Sequence, residues 1–136
     1  MQDPRPRMWL ARALRWLRRS ERELWESDEA HLAHELRSWA GSIPGTVLIA
    51  QAPLRHRVRL AGEIRRLTIK PGEPFEDLEG VLYDGSGEVR IVWLGRRSIP
   101  GVSVGSRLVV EGTIGETNGE RWMIDPIFEL ASPNVP

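Results

Sequence analysis

The spacing of apolar residues changes once along the chain, from a helical period to the alternation typical of strands. Over residues 8–39 apolar side chains recur every three to four positions, which indicates amphipathic helix. From Arg57 onward apolar and polar residues alternate, which predicts strands with one buried face. We therefore expect a helical N-terminal extension over residues 1–45 and an all-β core over residues 46–136.

The helical extension carries two apolar stripes, and the sequence leaves open whether they belong to one helix or two. The first stripe is Leu10, Ala13 or Leu14, and Leu17. The second stripe has near-heptad spacing and consists of Trp25, Leu32, Leu36 and Trp39. Ser27 is a candidate N-cap, with acidic residues after it that suit a first helical turn. The second stripe can pack either on the chain's own strands or on a second copy of the chain.

Five strands are predicted after the helical extension. They span approximately residues 57–65, 78–83, 88–94, 107–114 and 121–130. Asp84-Gly-Ser-Gly87 and Asn118-Gly119 are turn sequences that join strands two to three and four to five. Gly62 and Gly112 offer places where strands one and four can bend. Five short strands with a long, bent first strand match the plan of an OB-fold barrel.

The turn sequences also predict which residues of strands two, three and five lie inside the barrel. A turn centred on Gly85 and Ser86 sets the pairing of strands two and three, and paired residues share a face. The inward pairs are then Leu82 with Val89, Gly80 with Ile91, and Leu78 with Trp93. A turn centred on residues 118–119 directs Met123 inward and Trp122 outward, unless a bulge reverses the register.

Two segments of the predicted barrel resemble a known family. They read Val-Leu-Tyr-Asp-Gly-Ser-Gly-Glu-Val-Arg-Ile-Val-Trp-Leu-Gly-Arg-Arg-Ser-Ile-Pro-Gly over residues 81–101 and Leu-Val-Val-Glu-Gly over residues 108–112. Over about residues 55–130 the chain resembles small actinobacterial proteins described as OB-fold nucleic-acid-binding-domain proteins. Strands two and three are more distantly similar to anticodon-binding and helicase-type OB barrels. The resemblance implies nucleic-acid binding.

The candidate binding surface is the outward side of strands one to three, because OB barrels generally bind nucleic acid across strands two and three. An aromatic ring there can stack on bases, and guanidinium groups can contact phosphates. The candidate nucleic-acid-binding residues are Arg57, Arg59, Arg65, Tyr83, Arg90, Arg96, Arg97 and Trp122. Glu79 and Glu88 lie on the same predicted side. Residues 55–130 hold ten Arg and one Lys against twelve acidic residues, a net of −1, which predicts weak, salt-dependent binding.

Composition limits the other function classes. The 136 residues carry a formal charge of zero and no cysteine, which excludes disulfides, zinc–thiolate sites and thiol catalysis. His31 and His34 lie one helical turn apart without a third ligand nearby, and no Ser, His and Asp set has the spacing of a triad. We therefore expect no enzyme activity, no metal and no cofactor. Arginines interrupt the N-terminal apolar stretch, so we expect neither a signal peptide nor a membrane span, and a cytoplasmic protein.

Charge is segregated along the helical extension. Residues 5–22 hold seven Arg and one Glu, a net of +6, whereas residues 23–35 hold five acidic residues and no Arg or Lys. The basic segment can contact nucleic acid, lie on a membrane surface, or bind acidic residues of its own chain. We favour the nucleic-acid contact, because the predicted barrel lacks positive charge.

Two functions compete for the whole chain. The leading hypothesis is a non-catalytic protein that binds single-stranded DNA or structured RNA through the outer face of strands one to three. The alternative is a protein-interaction or oligomerisation module, including a homo-oligomer formed through the N-terminal helices. A continuous positive surface across strands two and three favours the first hypothesis, and a surface of mixed charge favours the second.

Overall fold

The structure is a computed structural model that describes the backbone of residues 5–131 and the side chains of residues 24–131. Helix α1 (Arg5–Ser42) precedes a short 3₁₀ helix (Ile49–Gln51). The strands that follow are β1 (Arg57–Lys70), β2 (Asp77–Tyr83), β3 (Glu88–Trp93), β4 (Arg107–Thr113), β5 (Gly115–Thr117), β6 (Glu120–Ile124) and β7 (Ile127–Leu130). The chain divides into two compact units, Met1–Leu32 and Ala33–Pro136. The domain boundary predicted at residue 45 stays a prediction.

Helix α1 runs without a break through Ser27, so this serine does not cap a second helix. Residues 20–26 include Glu, Arg and Leu, which favour helix, and contain neither Gly nor Pro. The last turns of α1 pack on the sheet, where Leu36 and Ala40 are buried and Trp39 joins Ala40 against β1 and β4. The C-terminal part of the second apolar stripe thus packs on the chain's own strands. Trp25, in the first unit, is 72% exposed.

The seven strands form one sheet in the order β5-β6-β3-β2-β1-β4-β7. All neighbouring strands are antiparallel except β3 and β6, which are parallel. The structure therefore has seven strands where five were predicted, and β5 and β7 are edges, so hydrogen bonds do not close the sheet into a barrel.

The predicted fifth strand is interrupted at Asp125 and Pro126. Asp125 has a left-handed φ of 46°, and proline has no N–H to donate to a strand ladder. As a result β6 pairs with β3 whereas β7 pairs with β4. Because only two residues connect β6 to β7, the β5–β6 end of the strand order lies close to the β4–β7 end. A Cβ atom built on Gly112 of β4 would lie 3.1 Å from Met123 Cγ of β6, which shows how strongly the sheet curls.

Strand β1 is longer than predicted and changes phase in its middle. Its first half pairs with β4 and its second half with β2. A bulge between Ile64 and Arg66 inserts Arg65 as an extra residue. Beyond the bulge, Arg66 and Thr68 pair with outward residues of β2, although simple alternation from Val58 would place even-numbered residues inside.

The predicted register of the β2–β3 hairpin is confirmed. Leu82 pairs with Val89, Gly80 with Ile91, and Leu78 with Trp93. These residues lie in the buried core, together with Met123, which confirms the inward placement of Met123 as well. The ring of Trp93 makes an edge contact with Phe128 of β7, with the ring centroids 5.9 Å apart. Across the Asn118–Gly119 turn, Gly115 of β5 pairs with Trp122 of β6.

Candidate nucleic-acid interface

A row of four side chains crosses the outward side of four neighbouring strands. Arg66 of β1 pairs with Val81 of β2, Val81 with Arg90 of β3, and Arg90 with Trp122 of β6. Paired residues share a face of the sheet, so two guanidinium groups, one aliphatic side chain and one indole follow one another. We call this row and its flanking residues the outer face. The flanking residues are Glu63, Arg65, Thr68, Glu79, Tyr83, Glu88, Val92 and Ile124.

Tyr83 and Arg65 form a cation–π pair at one end of the outer face. The guanidinium carbon of Arg65 lies 5.1 Å from the centroid of the Tyr83 ring. Nη1 of Arg65 also lies 3.5 Å from Oε2 of Glu63. Because of the bulge, Arg65 lies over the Tyr83 ring and is not a member of the row that contains Arg66. The predicted outward placement of both Arg65 and Tyr83 agrees with this geometry.

Arg90 is held between two carboxylates. Its Nε lies 2.7 Å from Oε1 of Glu79, and its Nη2 lies 3.1 Å from Oε2 of Glu120. Arg66, in contrast, is exposed and forms no ion pair with another side chain of residues 24–131. The outer face is therefore a surface of mixed charge and not a continuous positive track, and Arg66 is its one guanidinium that no carboxylate of residues 24–131 engages.

Trp122 lies flat against the edge strand β5. A Cβ atom built on Gly115 would lie 2.5 Å from Cζ2 of the indole, so this position accepts only glycine while the ring stays in place. The indole Nε1 donates a hydrogen bond to Oγ1 of Thr117 at 2.9 Å. The ring of Trp122 is thereby held at the end of the row with its N–H group satisfied.

The structure does not bring all of the predicted residues to the outer face. Arg57 and Arg59 lie on the half of β1 that pairs with β4, where Nε of Arg57 lies 3.4 Å from Oε1 of Glu111. Arg96 and Arg97 lie in the loop after β3, and Arg97 Nε lies 3.0 Å from a carboxylate oxygen of the β1–β2 loop. The eight residues thus divide between the outer face, its rim and the β1–β4 side, and their binding role stays a prediction.

A groove of about 400 Å³ opens beside Arg90 at the start of β3. Its walls come from the start of β3, from the 3₁₀ helix and from the β5–β6 turn. Arg121 of β6 borders the groove and donates hydrogen bonds to the carbonyl oxygens of Ile49 and, at 3.1 Å, of Ala50. No feature of the sequence indicates a role for Arg121, because its partners lie 72 and 71 residues away and no local pattern connects them.

Asp84 is a second side chain that hydrogen-bonds to the 3₁₀ helix, through a backbone N–H and not through carbonyl oxygens. The carboxylate of Asp84 is fully buried and accepts a hydrogen bond from Ile49 N at 2.8 Å. The same carboxylate accepts hydrogen bonds from the backbone of Ser86 and Gly87 in the β2–β3 turn. Asp84 and Arg121 together fix the wall of the groove that the 3₁₀ helix forms.

Two further classes of site find no support in the described part of the chain. Within residues 24–131, no three His, Asp or Glu side chains come together in a way that could hold a metal ion. No helix among the described residues is long and apolar enough to cross a membrane.

Comparison with known proteins shows the fold but not the family. No protein-family model and no curated protein sequence matches the chain. The solution NMR structure of a replication factor A related protein from Methanobacterium thermoautotrophicum matches with a TM-score of 0.53. The chains are 13% identical, and the match covers 65% of this chain and 92% of that chain. The fold is of the OB type. At this identity the likeness carries the fold alone and says nothing of an actinobacterial origin.

Proposed function

We propose that this protein binds single-stranded DNA or structured RNA across the outer face and acts by binding rather than by catalysis. The observation that carries the proposal is the row of Arg66, Val81, Arg90 and Trp122 across four strands. Guanidinium groups contact phosphates and aromatic rings stack on bases, so this combination suits a nucleic-acid strand. The OB-type fold supports the same class of ligand, because OB folds bind oligonucleotides on the face of strands two and three.

The size of the outer face suits a short stretch of nucleic acid. Neighbouring strands lie about 4.8 Å apart, so a row across four strands spans about 14 Å. Stacked nucleotides rise by about 3.4 Å each, so the row has room for about four. In this arrangement Arg66 contacts a phosphate, while Trp122 and the Tyr83–Arg65 pair offer stacking surfaces at opposite ends.

Affinity is limited by the carboxylates of the outer face. A phosphate that reaches Arg90 must compete with Glu79 and Glu120, which already contact the guanidinium. The net charge of −1 over residues 55–130 adds no long-range attraction. We therefore expect dissociation constants of about 10⁻⁴ to 10⁻⁶ M at physiological salt, which is the range of non-specific binding.

Fluorescence anisotropy with a labelled oligothymidylate at about 50 and 200 mM salt tests the proposal. Arg66→Gln should weaken binding and reduce the slope of log affinity against log salt by about 0.7, because one phosphate contact to a single strand is lost. Tyr83→Ala should weaken binding by about 1 kcal/mol or more through lost stacking. Arg59→Gln is the matched control, since it removes the same charge from the half of β1 that pairs with β4, away from the row.

The outcomes separate cleanly. Binding that weakens with Arg66→Gln and Tyr83→Ala but not with Arg59→Gln supports the outer face as the site. Equal effects of Arg66→Gln and Arg59→Gln would show that only overall charge matters. A complete lack of binding at micromolar protein in low salt would refute the proposal.

A second candidate function, the binding of a protein partner or of another copy of the chain, is favoured by the mixed charge of the outer face. Exposed Ile127 and Leu130 on the edge strand β7 add apolar surface for such a contact. Light scattering on the full chain and on a chain without residues 1–32 tests the oligomer, because that segment forms a separate unit. A monomer in both cases excludes self-association, whereas loss of a dimer on truncation assigns it to the helix.

A further inference from the structure

The groove beside Arg90 has a lining that suits a nucleobase better than a phosphate. Glu88 and Glu120 line it together with Arg90 and Arg121, so the groove has no net positive charge to attract a phosphate group. Val81 gives the groove an apolar wall, and Gly87 and Gly119 leave backbone without side chains, so a flat ring can lie against them. The volume of about 400 Å³ lies near the lower end of the range for small-molecule sites, which leaves room for one base.

Arg121 supplies a cationic surface at the border of this groove. Its guanidinium is bound by the carbonyl oxygens of Ile49 and Ala50, and it forms no ion pair with a carboxylate of residues 24–131. The charge of Arg121 is therefore not neutralised, and its orientation is set before a ligand arrives. Guanidinium planes stack on nucleobases, so a pre-oriented Arg121 is suited to hold a base in the groove.

Glu88 supplies the hydrogen-bonding group that selects among the bases. It is exposed and forms no ion pair with another side chain of residues 24–131, whereas Oε2 of Glu120 is already engaged by Arg90. An ionised carboxylate offers two acceptor oxygens and no donor. Thymine and uracil present one ring N–H between two carbonyl acceptors, and cytosine and adenine present one amino group beside an acceptor. Guanine presents two adjacent donors, N1–H and the N2 amino group.

We propose that the groove binds one guanine base of the bound strand, with N1–H and the N2 amino group donating to the Glu88 carboxylate while the ring stacks on Arg121. This inference rests on the proposed function, since the rest of the strand lies on the outer face. It adds base preference at a single position to binding that is otherwise independent of sequence.

Anisotropy of the full chain with twelve-nucleotide oligothymidylates of varied central base tests the inference. One central guanine should tighten binding about tenfold relative to thymine, the order expected for one bidentate contact to a base. Hypoxanthine keeps N1–H but lacks the N2 amino group, so it should recover only part of that gain. Equal binding of guanine and hypoxanthine would show that the carboxylate does not read the amino group.

Glu88→Gln should abolish the preference for guanine, because the amide keeps one acceptor oxygen and directs an NH₂ group towards a base donor. Glu129→Gln is the matched control, since it removes the same charge from the exposed edge strand β7, outside the groove, and should leave the preference for guanine unchanged. A guanine preference that survives Glu88→Gln unchanged would overturn the inference.

The same measurements distinguish failure of this inference from failure of the proposed function. Wild-type protein that binds every oligonucleotide alike refutes the guanine site and leaves the outer face standing. Protein that binds none of the oligonucleotides in low salt refutes both.

Discussion

Asp84→Asn tests whether one buried carboxylate joins the 3₁₀ helix to the β2–β3 hairpin. Oδ2 of Asp84 accepts the Ile49 N–H at 2.8 Å in a buried position. Oδ1 accepts the Ser86 N–H at 2.9 Å, the Ser86 hydroxyl at 2.6 Å and the Gly87 N–H at 3.2 Å. The carboxylate thus serves four donors from two segments that are far apart in sequence.

Asparagine has the same shape as aspartate but only one acceptor oxygen. If that oxygen remains with the two turn residues, the NH₂ group occupies the place of Oδ2 and faces the Ile49 N–H. Two buried donors then lack an acceptor, at a cost of about 1–3 kcal/mol for each. We expect Asp84→Asn to lower the free energy of unfolding by about 3 kcal/mol, or the midpoint temperature by about 10 °C for a chain of this size.

Urea unfolding followed by circular dichroism measures this loss, with Asp77→Asn as the matched control. Asp77 accepts one exposed hydrogen bond, from Gly95 N at 2.9 Å, which an Asn oxygen can keep. The control should therefore change stability by no more than about 0.5 kcal/mol. Amide exchange at Ile49 should also accelerate in Asp84→Asn. Equal stability of the two variants would refute the view that Asp84 is a structural link.

Three further perturbations test other parts of the chain. Gly85 has a φ of 89°, and a Cβ there would overlap the carbonyl oxygen of Ala33. Gly85→Ala should therefore lower the free energy of unfolding by about 2 kcal/mol more than Gly95→Ala, because Gly95 has a positive φ but open space around it. Equal losses in urea unfolding would show that the contact with Ala33 does not matter. Arg121→Lys keeps the charge but loses the forked guanidinium that donates to two carbonyl oxygens. The free energy of unfolding should therefore fall by about 1–2 kcal/mol, which lowers the midpoint of thermal unfolding. An unchanged midpoint would contradict this role of the guanidinium. Removal of residues 1–22, whose side chains lie outside the described residues, takes away a net side-chain charge of +5. It should weaken the binding of all sequences alike, as measured by anisotropy, and flatten the slope of log affinity against log salt. The same affinity and slope would show that the basic segment does not contact nucleic acid.

Local sequence determined the parts of the fold in which neighbours along the chain pair with each other. The Gly85-Ser86 turn sets the register of β2 and β3, because a turn of known length allows only one alternation that buries Leu78, Leu82 and Trp93 together. The same hairpin register places Tyr83 and Arg90 on the outward side. The helical period of the first forty residues likewise predicted helix there, although it left open that α1 is one helix and not two.

The binding surface depended on contacts between residues far apart in sequence, which no local pattern encodes. The bulge at Arg65 reverses the alternation of β1 and brings Arg66 onto the outer face, because β1 must leave β4 and pair with β2. The sequence places Glu79 on the same side as Arg90, but the second carboxylate, Glu120, belongs to β6, and only the fold brings it to Arg90. Arg121 reaches carbonyl oxygens 71 and 72 residues away. The spacing of apolar residues and the turn sequences therefore determined the β2–β3 hairpin and the helical region. The curled sheet decided which charged residues from distant parts of the chain lie side by side, because electrostatic pairing depends on distance in space and not along the chain.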